Sequence, residues 1–345
     1  MKLAVLGLGF MGSMHLKALK QVPDAEVVAV CSSDERKLAG DLSGIQGNIG
    51  GPGERLDFSR VKKHRTLESA LADPDIEAID ICLPTHLHAQ VAIEAIRAGK
   101  HVLVEKPMAL DAAACQRMID EARQHNRVLM TAQVLRFLPP YQALREALQT
   151  RGVGLVRSAL FRRRCAAPAW SKWLSDAGLS GGGVFDLLIH DIDICLHLFG
   201  TPDAVTATGF EAMETGIDLI TAQLFYAHGG VAVITGGWHH PKSYPFSMEY
   251  TVVGDGGTVE YSSAGREPTL YRADGEAEAL RLRELDGYAA ELAYFVECAK
   301  NSRAPELCSP EESAEAVRLM RLLLEARNRN GERIECKLYK TSNQA

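Results

Sequence analysis

The chain has 345 residues, 46% hydrophobic and 24% charged, with a formal net charge of −6. Such a length exceeds what one hydrophobic core commonly holds, so two domains of an ordinary soluble protein are expected. No apolar run approaches the roughly 18 residues of a membrane span. The start lacks a secretory pattern, and the acidic balance argues against a nucleic-acid or anionic-membrane partner, so a cytoplasmic setting is expected.

The first predicted element is an apolar strand over 3–6. It runs into Gly7-Leu8-Gly9-Phe10-Met11-Gly12, a G-x-G-x-x-G turn, and then a helix over 13–20. Gly7 allows the tight turn, Gly9 leaves room for a pyrophosphate, and Gly12 lets helix and sheet pack closely. Phe10 and Met11 stand at the helix start, whose free N–H groups and positive dipole end favour phosphate. Dinucleotide binding is the expected role, with a plain glycine-rich turn as the alternative. Strands over 26–31, 77–83, 101–106 and 128–134 alternate with helices over 67–71, 87–98 and 111–125, the pattern of a doubly wound parallel sheet. Residues 40–53 carry 6 glycines and a proline. They read as a surface loop, either a mobile insertion or a neighbour of the adenosine end of a cofactor.

From about residue 150 strands follow one another, over 155–163, 205–210, 219–227, 231–238, 247–253 and 258–261, with glycine-rich turns between them. This predicts an α+β second domain with a large, mostly antiparallel open sheet. Helices over 288–300 and 310–326 close the chain, the latter opened by an N-cap at Ser309, then Pro310 and two glutamates. The expected division is 1–126 for the Rossmann unit, 127–336 for the substrate and oligomerisation unit, and 337–345 for a tail. The 8 cysteines form no C-x-x-C pair, so neither a metal site nor a disulfide framework is expected.

Two constellations carry chemistry. Glu105-Lys106-Pro107 ends a strand where doubly wound sheets bind ligands, so Lys106 is placed for acid–base work in the crevice. A surface lysine in a turn is the alternative. A cis bond before Pro107 would fix the lysine's direction, though few X-Pro bonds are cis. Farther on, Gly181-Gly182-Gly183 precedes a helix on which Asp186 and His190 share one face. A carboxylate there would hold the imidazole's tautomer and raise its basicity; a core histidine satisfied by Asp186 is the alternative.

GLGFMG, PTHLH at 84–88, EKP at 105–107 and GGGVFDLLIHDID at 181–193 occur in the order seen in one family. Arg136-Phe137, Pro139, Tyr141, Val253-Gly254 and Gly257-Thr258 extend the likeness over nearly the whole chain. The sequence resembles the glucose–fructose oxidoreductase / inositol dehydrogenase / MocA family. The resemblance implies that Lys106 and His190 are a catalytic pair, with Asp186 as the histidine's partner and Asp193 as a supporting carboxylate. It implies that Leu83, Pro84, Thr85 and His88 lie along the nicotinamide ribose, with Glu105 and Lys106 closing over the ring. A homodimer or homotetramer through the large sheet is also implied. Leu188 stands where a small residue is common, which would narrow the pocket, and 40–53 matches nothing in the family pattern.

Cofactor choice is read at the end of the second strand, where an acid usually binds the ribose hydroxyls. Cys31-Ser32-Ser33 stands there instead, with Asp34, Arg36 and Lys37 beyond. Ser32 and Ser33 can bond a 2′-phosphate and Arg36 can balance its charge, so NADP is preferred. NAD stays open through Asp34. The expected reaction is reversible hydride transfer between nicotinamide and the hydroxyl or keto carbon of a sugar, polyol or sugar derivative. Trp170 and Trp173 either stack on a sugar or anchor a loop. Of Arg162, Arg163 and Arg164, alternation along a strand lets at most two meet a ligand. The alternatives are a redox-assisted elimination or glycoside cleavage with bound NAD, and a non-catalytic nucleotide sensor.

Overall fold

The computed structural model describes residues 1–47, 51, 53–169 and 171–336. Trp170, the 337–345 tail and part of the 40–53 segment therefore lie outside the described residues. Strands β1 (Lys2–Leu6), β2 (Glu26–Cys31), β3 (Lys62–His64), β4 (Ala78–Ile81), β5 (His101–Glu105) and β6 (Leu129–Ala132) form a 6-stranded sheet in the order β3-β2-β1-β4-β5-β6. Every neighbouring pair is parallel. Between the strands run α1 (Phe10–Leu19), α2 (Glu35–Leu38), α3 (Leu67–Leu71), α4 (His88–Arg97) and α5 (Ala112–Gln124). Helices on both faces demand apolar strands, and Ala4, Val5, Ile79 and Ile81 are all fully buried. Asp80 breaks that rule, for a reason given below. Strand order reverses between β1 and β4, which opens a crevice beyond their C-terminal ends.

The rest of the chain adds α6 (Pro139–Thr150), β7 (Val156–Cys165), α7 (Ala177–Ser180), α8 (Gly183–Phe199), β8 (Ala204–Ala212), β9 (Ile217–Phe225) and β10 (Val231–Trp238). Then come β11 (Ser247–Gly254), β12 (Gly257–Ser262), β13 (Arg266–Arg272), β14 (Ala277–Ala279), α9 (Gly287–Lys300), α10 (Pro310–Asn328) and β15 (Ile334–Glu335). Its 9-stranded sheet has the order β14-β13-β12-β11-β7-β10-β9-β8-β15. All of its pairs are antiparallel except β7 with β10. This is the expected α/β plus α+β fold.

Helix α8 lies against the inner face of this sheet, with Phe185, Leu188, Ile189 and Ile192 fully buried. Its approach is close: a Cβ on Gly183 would stand 2.5 Å from the Trp238 ring. Chain order and spatial grouping part company at two places. Strand β6 completes the first sheet from beyond residue 126, and α9 returns to pack on α1. No helix among the described residues is long and apolar enough to cross a membrane.

Candidate active site

A cleft of about 930 Å³ runs from the ends of β1 and β2 to the N-terminal turns of α8. The three glycines of the opening turn differ in what surrounds them. Gly7 has φ +93°, and a Cβ there would stand 2.4 Å from the Cys82 carbonyl oxygen. A Cβ on Gly12 would meet the Gly7 carbonyl at 2.0 Å, whereas one on Gly9 would find no atom within 4 Å. Gly9 thus borders open space in the cleft wall, beside Phe10 and Met11 at the start of α1. Backbone N–H groups of a first helical turn have no partners within the helix. An open cradle at a helix N-terminus fits a pyrophosphate, and the cleft volume suits a dinucleotide.

Leu83, Pro84, Thr85, Glu105 and Lys106 line the middle of the cleft. His88 does not, contrary to expectation. It is 1% exposed, and its ring nitrogens each lie 2.8 Å from a carbonyl oxygen, of Pro107 and of Leu83. It fastens the 83–88 segment to the chain behind Lys106. The Lys106–Pro107 bond is cis.

At the far end Lys106, Asp186 and His190 come together with Trp173, Trp238 and Phe246. Lys106 Nζ donates to the Asp186 carbonyl at 2.8 Å and to Asp186 Oδ1 at 2.9 Å. Here the reading of Asp186 as the histidine's partner needs correction. The two share a helix face, but the carboxylate turns to the ammonium, a charge-assisted contact stronger than one to a neutral ring. His190 Nδ1 is buried without a hydrogen-bond partner. Burial, then the charges of Lys106 and Arg163, push the His190 pKa well below its usual value. The imidazole is therefore neutral and less basic than expected, and it borders the cleft as a free ring.

Other expectations resolve by geometry. Leu188 belongs to the core and leaves the cleft to Leu187. Arg163 pairs with the buried Asp191 at 2.7 Å, while Arg162 and Arg164 both bind Glu249 on the other face of β7. None of the three arginines lines the cleft. Asp193 is buried in a two-point contact with Arg136, at 2.6 and 2.8 Å.

Sequence reading missed a buried polar cluster behind Lys106. His15 on α1 is 0% exposed, with Nδ1 2.9 Å from Asp80 Oδ2 and Nε2 3.0 Å from Glu105 Oε1. The other Glu105 oxygen accepts the Lys106 N–H at 3.0 Å. Burial lowers the His15 pKa, but the Asp80 carboxylate and the Cys82 sulfur more than offset it, so the ring is held as an imidazolium. Asp80 is thus a buried acid in an apolar strand because it faces a buried cation. Glu291 of α9 is also 0% exposed, and neither of its oxygens has a partner. Burial, followed by the nearby acids, raises its pKa well above the usual value and keeps it protonated. Nothing in the local sequence around position 15 signals this cluster, because its members come from α1, β4, β5 and α9.

At the opposite end Ser32, Ser33, Asp34, Arg36 and Lys37 line the cleft, joined by Asp41, Gly44, Ile45 and Gln46. The described part of the glycine-rich segment therefore contributes to the cleft wall, next to the end of β2. Leu42 anchors it at 0% exposure, and Gly47 lies so close to the Phe10 ring that a Cβ would meet it at 2.0 Å. Asp34 also caps α2: its Oδ1 accepts the N–H groups of Arg36 and Lys37 at 2.9 and 3.3 Å.

A parallel sheet with a phosphate-cradling turn at its reversal point, and a lysine and histidine at one end of the cleft, defines an NAD(P)-dependent dehydrogenase or reductase acting on CH–OH groups. The chain belongs to the GFO/IDH/MocA family: the profile described as "Oxidoreductase family, NAD-binding Rossmann fold" matches residues 1–133, and that of the "GFO/IDH/MocA C-terminal domain" matches 141–260. It is 26% identical over 321 residues to myo-inositol 2-dehydrogenase of Thermotoga maritima, covering 88% of this chain and 90% of that one. It is 25% identical over 333 residues to D-xylose 1-dehydrogenase (NADP(+)) 2 of Haloferax volcanii, covering 94% and 97%. The crystal structure of aldose-aldose oxidoreductase from Caulobacter crescentus, complexed with glycerol, superimposes with a TM-score of 0.83 at 22% identity, covering 97% and 99% of the two chains.

Proposed function

We propose that the protein transfers a hydride between NADP, in preference to NAD, and the CH–OH or keto carbon of a sugar, polyol or sugar derivative. The observation that carries this reading is the meeting of a cleft-facing neutral His190 with the Lys106–Asp186 pair. The named activities of the Thermotoga and Haloferax relatives support the substrate class. Gly7, Gly9, Phe10, Met11 and Gly12 would hold the pyrophosphate, and Leu83, Pro84, Thr85 and Glu105 the nicotinamide side. When bound, nicotinamide supplies the hydride acceptor or donor at its C4. In oxidation His190 takes the substrate hydroxyl proton while the C–H bond gives up its hydride, leaving a carbonyl. Lys106 donates a hydrogen bond to that oxygen, with its ammonium steered by Asp186. In reduction His190 returns the proton. Trp173 stands beside this group and would pack on the sugar ring. Ser32 and Ser33 present no acid to a 2′-phosphate, which supports NADP, while Asp34 at the same end keeps the NAD alternative open. A cytosolic setting and a homo-oligomer formed through the large sheet complete the proposal.

General acid–base catalysis contributes about 10²–10⁴ in rate. His190→Ala should therefore lose at least about 10²-fold in turnover of NADP with a panel including myo-inositol and D-xylose. Near-full activity of that variant would remove His190 from the mechanism.

A further inference from the structure

The glycine-rich segment brings one fixed charge to the cleft. Asp41 Oδ2 accepts from Arg36 Nη2 at 3.0 Å and lies 3.6 Å from Arg55 Nη2. Its Oδ1 accepts from the Ser43 hydroxyl at 2.6 Å and the Ser43 N–H at 3.3 Å. A backbone bridge between Asp41 and Arg55 and the buried Leu42 beside it hold the carboxylate in the wall. Asp41 is 17% exposed, against 78% for Arg36 and 80% for Arg55, so the acid is seated in the wall while the arginine side chains extend into solvent. The Ser43 hydroxyl and then Arg36 lower the Asp41 pKa to about 2, which keeps it charged at any physiological pH.

This placement bears on cofactor choice. Arg36 lines this end of the cleft, where it can meet a ribose 2′-phosphate, and its guanidinium is engaged by Asp41. Lys37 also lines this end and has no ion-pair partner among the described residues. A phosphate arriving here must draw Arg36 away from a carboxylate and tolerate that like charge in the same wall. A ribose bearing only hydroxyls meets neither cost.

We propose that Asp41 is a cofactor-specificity determinant: it holds Arg36 and opposes a 2′-phosphate, and so limits the preference for NADP over NAD. The inference rests on the dinucleotide reading of the cleft. Asp41→Asn keeps the oxygen that accepts from Ser43 and removes the charge.

The test is a titration of wild type and variants with NADPH and NADH, followed by quenching of tryptophan fluorescence. Asp41→Asn should tighten NADPH by about fivefold, the upper size of one partly exposed charge contact, and move NADH by less than about twofold. Asp41→Ser should shift NADPH in the same direction. Adding Arg36→Ala to Asp41→Asn should cancel the gain. Unchanged or weaker NADPH binding in both single variants overturns the proposal, as does an equal shift of both nucleotides. A wild type that binds NADH but not NADPH more weakly than Asp41→Asn leaves the dinucleotide reading standing and overturns only the role of Asp41. A wild type that binds neither overturns both.

Discussion

Lys106 and Asp186 meet across 80 positions of sequence because an ammonium and a carboxylate bordering one cleft gain more from each other than from a neutral ring. The consequence falls on His190. Deprived of the carboxylate and set near Lys106 and Arg163, its imidazole is harder to protonate than an ordinary histidine, with burial the first cause and Lys106 the second. A base with a lowered pKa stays unprotonated to a lower pH, so the acid limb of the oxidation rate should fall below the usual histidine range of about 6.5. Replacing Lys106 by Met removes a positive charge and should raise the His190 pKa, which NMR titration of the ring protons measures without any substrate. An unmoved pKa would show that Lys106 takes no part in the shift. Position along the chain was enough to single out Lys106 and His190, since each sits in a local motif. Local spacing gave Asp186 the wrong partner, because Lys106 reaches it from 80 positions away. The resemblance that put His88 at the nicotinamide ribose did not foresee its ring held between the Leu83 and Pro107 carbonyls.

At the scale of elements, the cluster of His15, Asp80, Glu105 and Glu291 joins α1 and α9 to the strands that carry Lys106. Both His15 and Glu291 have folded pKa values above their ordinary ones. Each therefore contributes stability that is complete below its unfolded pKa and is lost as pH rises towards its folded pKa. For Glu291 that loss begins near the ordinary glutamate value of 4.5. Glu291→Gln has no proton to lose and should raise the melting temperature at pH 8 more than at pH 5. Equal shifts at the two pH values, read by thermal denaturation, would contradict a protonated Glu291. The same comparison explains what periodicity could and could not reveal. Strands β2 and β10 were expected with the bounds observed, because local alternation or apolar runs define them. Helix α6 escaped because it opens on Pro139-Pro140, which reads as a break in sequence but occupies the first helical turn, where no N–H is needed. The parallel pairing of β7 with β10 and the return of α9 to α1 are long-range choices that no local pattern encodes.

For the molecule as a whole, the outer face of the large sheet is the unresolved surface in energetic terms. Along β7 the odd-numbered residues Ala159, Phe161, Arg163 and Cys165 are buried against the helices, while Leu160 points outward at 37% exposure. Its cross-strand neighbours are Val233 and Thr251, and Phe210, at 58% exposure, stands opposite Leu219. Val253 and Tyr271 add 38% and 42% exposed apolar side chains on neighbouring strands. Exposed apolar side chains of this size on a sheet face mark a contact surface, and the homo-oligomer proposed above would seat a second copy of the same sheet here, beside the Arg162 and Arg164 pairs with Glu249. In an isologous pair each substitution enters twice, so Leu160→Glu would set two carboxylates into the contact on a face whose Arg162 and Arg164 are already paired with Glu249. The variant should halve the mass measured by light scattering while keeping the far-ultraviolet circular dichroism of the wild type. Because the cleft lies on the helix side of the sheet, its tryptophan quenching by NADPH should survive dissociation. A wild type that is already monomeric, or a Leu160→Glu variant of unchanged mass, would rule out this face as the contact.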